Sequence, residues 1–188
     1  MNTKTHFFLA IPISNELKAV YSKWQQSMKN QLPFKSWVHP EDYHITLAFL
    51  GDIPKSMLRN ISKEMEVIAG KHHSFQLSLN GIGTFGRKES PRIFWAGLER
   101  EQKLFDLQMD VYRACKKLGF TLDDRPYNPH MTLARKWSSD DVFPNNLSHI
   151  VKGEEKIVSF SVKDFILYQT HLDRTPKYEP LSIFSLKD

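Results

Sequence analysis

YHITLAFLG at residues 43–51 and PHMTLAR at residues 129–135 share the pattern His-x-Thr-Leu, which begins at His44 and at His130. Each segment alternates polar and apolar residues, as a β-strand with one buried face does. Because successive side chains of a strand point to opposite faces, each histidine shares a face with the threonine two positions later. The pattern therefore predicts two strands, each presenting an imidazole and a hydroxyl on one face and an apolar pair to a core.

The elements around the two motifs recur along the chain at a nearly constant offset. The matching positions are Phe7 and Ile93 in a strand, Asn15 and Gln102 in a helix, His44 and His130 in the motifs, and Phe75 and Ser161 in a later strand. Three of these pairs differ by 86 positions and the helix pair by 87. We interpret the repeat as an internal duplication within one domain, residues 1–188, whose halves lie near 5–86 and 91–172.

The duplication predicts the fold class. Each half reads as strand, helix, strand, helix, strand, and amphipathic periodicity predicts helices over 15–28, 54–69 and 102–118, with a further short helix over 145–152. We expect an α+β protein with two pseudo-symmetric lobes, built from mainly antiparallel sheets and outer helices around a central cleft. The matching strands, and with them the two histidines, should meet near the pseudo-twofold axis.

The composition bounds the class of protein. With 188 residues, 40% of them apolar, and no long apolar run, the chain is expected to form one soluble domain without a membrane span. It contains one cysteine, Cys115, which excludes an intrachain disulfide and a cysteine-based zinc site. The N-terminus lacks a signal-peptide pattern, so a cytoplasmic monomer is the default expectation. The net charge of +5 is compatible with a polyanionic partner but does not identify one.

A cleft between the two motif strands would hold two imidazoles, from His44 and His130, and two hydroxyls, from Thr46 and Thr132. In-line displacement at phosphorus needs one group that deprotonates the attacking water and an opposite group that protonates the leaving oxygen. Histidine can serve in either role near neutral pH, because its unperturbed pKa is about 6.5. The hydroxyls can donate hydrogen bonds to the non-bridging phosphate oxygens. We therefore predict phosphoester hydrolysis that uses neither a metal nor a cofactor.

Two flanking residues are further candidates. Phe49 and Arg135 each follow a motif histidine by five positions and so occupy equivalent places in the repeat. A phenyl ring can stack on a nucleobase, and a guanidinium can pair with a phosphate. Strict strand alternation, however, points both side chains away from the histidine face. They reach the cleft only if the strands twist or end before them; otherwise Phe49 is a core residue and Arg135 a surface residue.

The whole chain resembles the two-histidine (2H) phosphoesterases, and among them the bacterial and archaeal RNA 2′,3′-cyclic phosphodiesterases, historically called 2′-5′ RNA ligases. The resemblance rests on residues 43–51 and 125–135, and it extends to GIGTF at 81–85 and FWAG at 94–97. It implies a two-lobed α+β fold with a central cleft. It also implies hydrolysis of an RNA 2′,3′-cyclic phosphate to a 2′-phosphomonoester.

The resemblance further implies roles for the site residues. His44 would donate a proton to the departing 3′ oxygen, and His130 would accept a proton from the attacking water. The remaining roles that it implies are phosphate binding by Thr46, Thr132 and Arg135 and base stacking by Phe49. The residues alone do not separate the two histidines, because their motifs are nearly equivalent.

Other interpretations stay open at this point. The same site could act in reverse, with a 5′-hydroxyl in place of water, and form a 2′,5′ linkage. A non-catalytic RNA- or nucleotide-binding module would need the basic and aromatic residues but not both histidines. In the least specific interpretation, His44 and His130 are core histidines bonded to neighbouring threonines. The expected partner of a catalytic site is RNA or a nucleotide that carries a 2′,3′-cyclic phosphate.

Overall fold

The computed structural model describes residues 5–144, 147 and 158–188. Its helices are α1 (Asn15–Lys29), α2 (Lys55–Ala69) and α3 (Gln102–Lys117), and a 3₁₀ turn covers Pro40–Asp42. Its strands are β1 (His6–Pro12), β2 (Phe34–Trp37), β3 (His44–Asp52), β4 (Phe75–Gly86), β5 (Pro91–Leu98), β6 (Met131–Trp137), β7 (Val158–Val162), β8 (Asp164–Thr170) and β9 (Tyr178–Ser185). Helices 15–28, 54–69 and 102–118 are confirmed to within one residue at each end. The helix predicted over 145–152 lies outside the described residues, apart from residue 147.

The strands form one sheet in the order β7-β4-β5-β6-β3-β1-β8-β9, with β2 paired to β6. Every pairing between named strands is antiparallel. The predicted α+β fold is confirmed, and the sheets of the two halves are continuous with each other. They join between β3 and β6, where Ile45 lies opposite Met131. Both of these side chains are completely buried, so the junction is also a point of core packing.

The strand order of the sheet is consistent with the repeat. The equivalent motif strands β3 and β6 are adjacent, and β1 and β5, which the repeat also matches, flank them on opposite sides. A twofold axis between β3 and β6 exchanges both pairs, and it exchanges β4 with β8, so the neighbour β7 that contains Ser161 is not the counterpart of β4. This arrangement supports our proposal that the halves arose by duplication and form the two lobes of one domain.

The core lies on the apolar side of the two motif strands. The four apolar motif residues are all at most 3% exposed: Ile45, Leu47, Met131 and Leu133. Each such burial contributes about 1.5–3 kcal/mol relative to an exposed side chain. Helix α1 begins after the N-cap Ser14, whose hydroxyl accepts a hydrogen bond from the backbone N–H of Leu17 at 3.4 Å. In the described ranges, no helix is long and apolar enough to cross a membrane.

Candidate active site

The four polar motif residues lie together on one face of the sheet, where β3 meets β6. The register at this junction places His44 opposite Thr132 and Thr46 opposite His130. Residues directly opposite each other share a face, with Cβ atoms about 4.5–5.5 Å apart, and diagonal pairs are about 7–8 Å apart. The two histidines form such a diagonal pair. All four side chains are partly accessible, so the site that they form is open to solvent, and we call it the cleft.

Both histidines are held by the same kind of hydrogen bond, from Nδ1 to a backbone carbonyl. Nδ1 of His44 lies 2.7 Å from the carbonyl oxygen of Asp42, and Nδ1 of His130 lies 2.8 Å from that of Asn128. Because a carbonyl oxygen can only accept, each Nδ1 carries a proton and donates it. In each neutral ring Nε2 then carries the lone pair and is the nitrogen available for proton transfer.

Burial lowers the pKa of both histidines. For His44 the pKa falls from 6.5 to about 4, mainly because burial disfavours the imidazolium, with the charges of Arg135 and His130 adding to the effect. The Asp42 carbonyl and carboxylate oppose this shift. For His130 burial again dominates, and Arg135 also lowers the pKa, while the Asn128 carbonyl raises it. Both rings are therefore mostly neutral at pH 7, and an anion bound between them would raise both pKa values.

Each motif strand contains a β-bulge directly after its threonine. The pairing of β3 with β1 skips Leu47, and the pairing of β6 with β5 skips Leu133. These two leucines occupy equivalent positions of the repeat, 86 residues apart. An extra residue reverses the alternation of side chains along a strand. Phe49 and Arg135 therefore lie on the same face as the motif histidines.

The bulges turn both flanking candidates to the face of the motif histidines. Arg135 is partly buried, and its charge acts on both histidine rings, so the guanidinium lies within electrostatic reach of each. Phe49 is 56% exposed, and its ring centroid is 5.7 Å from that of His6 in an edge-on contact. The interpretation of Phe49 as a core residue is therefore wrong. Alternation along an isolated strand could not reveal either placement.

Helix α3 and the loop before β6 stabilise the bulge in β3. The buried side-chain amide of Gln108 donates a hydrogen bond to the Leu47 carbonyl at 3.3 Å. The hydroxyl of Tyr127 donates one to the neighbouring Thr46 carbonyl at 3.0 Å. These bonds satisfy the carbonyl of Leu47, the residue that the ladder skips, and the carbonyl of its neighbour Thr46. The shape of β3 at the site thus depends on residues that lie 61 and 81 positions away.

We expect the substitution Gln108→Leu to lower the free energy of unfolding by about 1–3 kcal/mol. The apolar side chain fills the space but leaves the buried Leu47 carbonyl without a donor, which is the costly case for a buried polar group. Urea denaturation of the two proteins measures the difference. Gln102→Leu is the matched control, because Gln102 lies on the same helix and its amide bonds only the exposed Asp106; its change should stay within about 0.5 kcal/mol. Equal losses in the two variants would contradict this role for Gln108.

Aromatic side chains that the motif analysis did not assign to the site surround both histidines. Around His44 lie Phe8, Tyr178 and Tyr168, at centroid distances of 4.8, 5.1 and 6.5 Å. Around His130 lie Phe85 and Trp95, at 4.9 and 6.2 Å. Their rings exclude water from one side of each imidazole, which agrees with the dominant effect of burial on the two pKa values. For Phe85 and Trp95 the signal available in the sequence was their place in segments 81–85 and 94–97, which resemble those of the 2H phosphoesterases.

The arrangement suits acid–base chemistry on a phosphate. The cleft combines two imidazoles, two hydroxyls and one guanidinium, from His44, His130, Thr46, Thr132 and Arg135. The described part of the chain contains no group of three or more His, Cys, Asp or Glu side chains placed to hold a metal ion. The groups present can bind an anion and move protons on either side of it.

The chain is similar to known phosphoesterases over nearly its whole length. A family model for LigT like phosphoesterases matches residues 11–95 and again residues 97–178. An RNA 2′,3′-cyclic phosphodiesterase of Geobacillus stearothermophilus is 43% identical over 183 residues, which are 97% of this chain but 58% of that protein. A protein of the same name from Bacillus subtilis (strain 168) is 35% identical over 185 residues, 97% of each chain. The chain thus spans less than two thirds of the first relative and nearly all of the second.

Solved structures share the fold. The crystal structure of TT0787 of Thermus thermophilus superposes with a TM-score of 0.79 at 26% identity, covering 97% of this chain and 98% of that one. The crystal structure of E. coli LigT complexed with 3′-AMP superposes with a TM-score of 0.76 at 25% identity, covering 98% and 99% of the two chains. The similarity therefore extends over nearly the whole length of this chain.

Proposed function

The chain belongs to the LigT like phosphoesterase family, and we propose that it hydrolyses RNA 2′,3′-cyclic phosphate ends to 2′-phosphomonoesters. The observation that carries the proposal is the diagonal pair of imidazoles from His44 and His130, each flanked by a hydroxyl across the β3–β6 junction. The curated relatives named RNA 2′,3′-cyclic phosphodiesterase supply the substrate class.

In the proposed mechanism the two histidines act on opposite sides of the phosphorus. His130 accepts a proton from the attacking water as its oxygen bonds to phosphorus. The bond from phosphorus to the 3′ oxygen breaks, and His44 donates a proton to that oxygen, so the phosphate stays on the 2′ oxygen. Diagonal neighbours on paired strands are about 7–8 Å apart, which leaves room for a phosphate between the rings. The anionic substrate raises the pKa of His44, which lets a ring that is neutral in the free protein carry the donated proton.

The remaining candidates bind the substrate in this proposal. The hydroxyls of Thr46 and Thr132 donate hydrogen bonds to the non-bridging oxygens, where charge builds up in the transition state. Arg135 pairs with the same oxygens, and its position near both rings supports this role. Phe49 offers an exposed ring beside the cleft on which a base can stack. No metal or cofactor takes part in any of these steps.

Product analysis on an oligonucleotide that ends in a 2′,3′-cyclic phosphate tests the proposal. The expected product is the 2′-phosphate, identified by chromatography against 2′- and 3′-phosphate standards, and its rate of formation should be unchanged by a chelator. A 3′-phosphate product would contradict the assigned bond cleavage. Complete inactivation by the chelator, reversed by added metal, would contradict the metal-free mechanism.

A second arm of the same experiment addresses ligation. An added 5′-hydroxyl oligonucleotide competes with water for the cyclic phosphate, and attack by it would leave a 2′,5′ linkage. We expect hydrolysis to dominate because water is far more concentrated. Binding of the oligonucleotide without any turnover, and retained in a variant that lacks both histidines, would instead favour a non-catalytic RNA-binding module. A monomeric state and a cytoplasmic location stay predictions, which sedimentation and cell fractionation would check.

A further inference from the structure

The two histidines share a backbone contact but differ in the residue that provides it. The carbonyl that binds Nδ1 belongs to the residue two positions earlier, which is Asp42 for His44 and Asn128 for His130. These residues are also 86 positions apart, so they are equivalent in the repeat. One lobe therefore carries a carboxylate where the other carries a neutral amide. This difference breaks the pseudo-symmetry directly beside the catalytic pair.

Asp42 is one of three polar or charged residues that are buried in the described part of the chain, with 4% exposure. Its carboxylate accepts three hydrogen bonds from backbone N–H groups at the start of β9. The N–H of Lys177 donates to both oxygens, at 2.9 and 3.0 Å, and the N–H of Tyr178 donates at 3.1 Å. The two donors lie 135 and 136 positions away, so the buried carboxylate ties the turn before His44 to the start of β9.

The segment that Asp42 holds also packs against the histidine. The ring of Tyr178 meets the His44 ring edge-on at 5.1 Å, and it meets Phe8 in the same way at 4.8 Å. Asp42 therefore acts on His44 through two routes, its own carbonyl on Nδ1 and the tyrosine that it anchors. Among the residues that the structure describes, the Asn128 carbonyl contacts His130, and the Asn128 side chain has no such link to a distant strand.

We propose that Asp42 is a positioning residue that supports His44 as the proton donor of the pair. This inference rests on the proposed function. The carboxylate anchors β9 against the His44 ring, and its negative charge favours the imidazolium that forms when Nε2 gains a proton. The neutral amide of Asn128 provides no such charge to His130.

Several other groups lie near His44, and each either favours or opposes a positive charge on its ring. Arg135, on β6, and a protonated His130 oppose a positive charge on His44, and Asp42 favours it. Tyr168 on β8 and Tyr178 on β9 stay neutral at pH 7, because burial raises the pKa of both phenols. Asp42 is thus the anionic group that counters burial and Arg135 at this ring.

Asp42→Asn tests the inference, because asparagine keeps an oxygen that can accept the backbone bonds but removes the charge. Above the pKa of both histidines, kcat/KM is proportional to the protonated fraction of the donor. We expect the variant to lose about tenfold in kcat/KM on the alkaline side of the pH profile and little on the acid side. A structural defect alone would lower the whole profile equally. Asp52→Asn, an exposed carboxylate on β3, is the charge-matched control and should leave the profile unchanged.

Asn128→Asp provides the reciprocal measurement. A charge beside His130 raises the pKa of the base, so this variant should lose activity on the acid side and keep it on the alkaline side. If Asp42→Asn does not fold, this variant decides the question by itself. Loss on the alkaline side in Asn128→Asp, or on the acid side in Asp42→Asn, would overturn the assignment.

Titration of the histidine ring resonances by NMR separates this inference from the proposed function. In the free protein, the resonance of His44 should titrate at lower pH in Asp42→Asn than in the wild type. That result holds whether or not the protein cleaves a cyclic phosphate. An unchanged His44 titration would overturn the inference, even if the oligonucleotide is hydrolysed as proposed.

Discussion

We expect the variants His44→Ala and His130→Ala to hydrolyse a 2′,3′-cyclic-phosphate-ended oligonucleotide about 10²- to 10⁴-fold more slowly than the wild type. Alanine removes the group that donates a proton to the 3′ oxygen in one variant and the group that activates water in the other. Single-turnover rates measure the loss in the chemical step, and equilibrium binding of the oligonucleotide to the same variants separates it from weaker binding.

The double variant sharpens this test. Residues that act as a unit in one step show strongly non-additive effects, so the double variant should lose much less than the product of the two single losses. His73→Ala is the control, because His73 is exposed and its Nδ1 contacts the carbonyl of Asp188, away from the motif strands. Full turnover by either single variant would contradict the paired acid–base mechanism.

Arg135→Ala should be the next most damaging substitution, with kcat/KM reduced about 10²- to 10³-fold, as found for the loss of one group that stabilises transition-state charge. The guanidinium is the cation that acts on both histidines. Arg135→Lys should recover only part of the loss, because an ammonium lacks the planar pair of donors that matches two phosphate oxygens. Arg92→Ala, at an exposed position of the neighbouring strand β5, is the control and should retain activity.

Arg135→Ala should also change the pKa values of the two histidines. Because the Arg135 charge lowers the pKa of His44 and of His130, its removal should raise both values in the free protein. NMR titration of the histidines measures this shift. A large loss of activity without any upward shift would indicate that Arg135 acts through the fold and does not lie close to the two rings.

Local sequence predicted much of the fold because the signals for helices and strands are themselves local. Amphipathic periodicity gave the three helices within one residue at each end, and alternation gave the buried sides of β3 and β6 at Ile45 and Met131. The equal spacing of His44 and His130 in the repeat also indicated which strands would be neighbours. Each of these features depends on residues a few positions apart or on a comparison of the chain with itself.

The placement of Phe49 and Arg135 could not be predicted from such local signals. Their side of the strand depends on bulges at Leu47 and Leu133, and a bulge is a property of two paired strands, not of one. The bulge in β3 is in turn supported by Gln108, which lies on a helix 61 positions later. Strict alternation therefore pointed both side chains to the wrong face.

The sequence by itself determined the class of fold, the four polar motif residues and the face that each pair shares, because the period of a strand is set by its own backbone. Only the tertiary structure decided that Phe49 and Arg135 lie on the face of the motif histidines, and that Asp42 is bound by Lys177 and Tyr178 from 135 and 136 positions away. Those features arise from pairing between distant segments, which depends on how the whole sheet assembles.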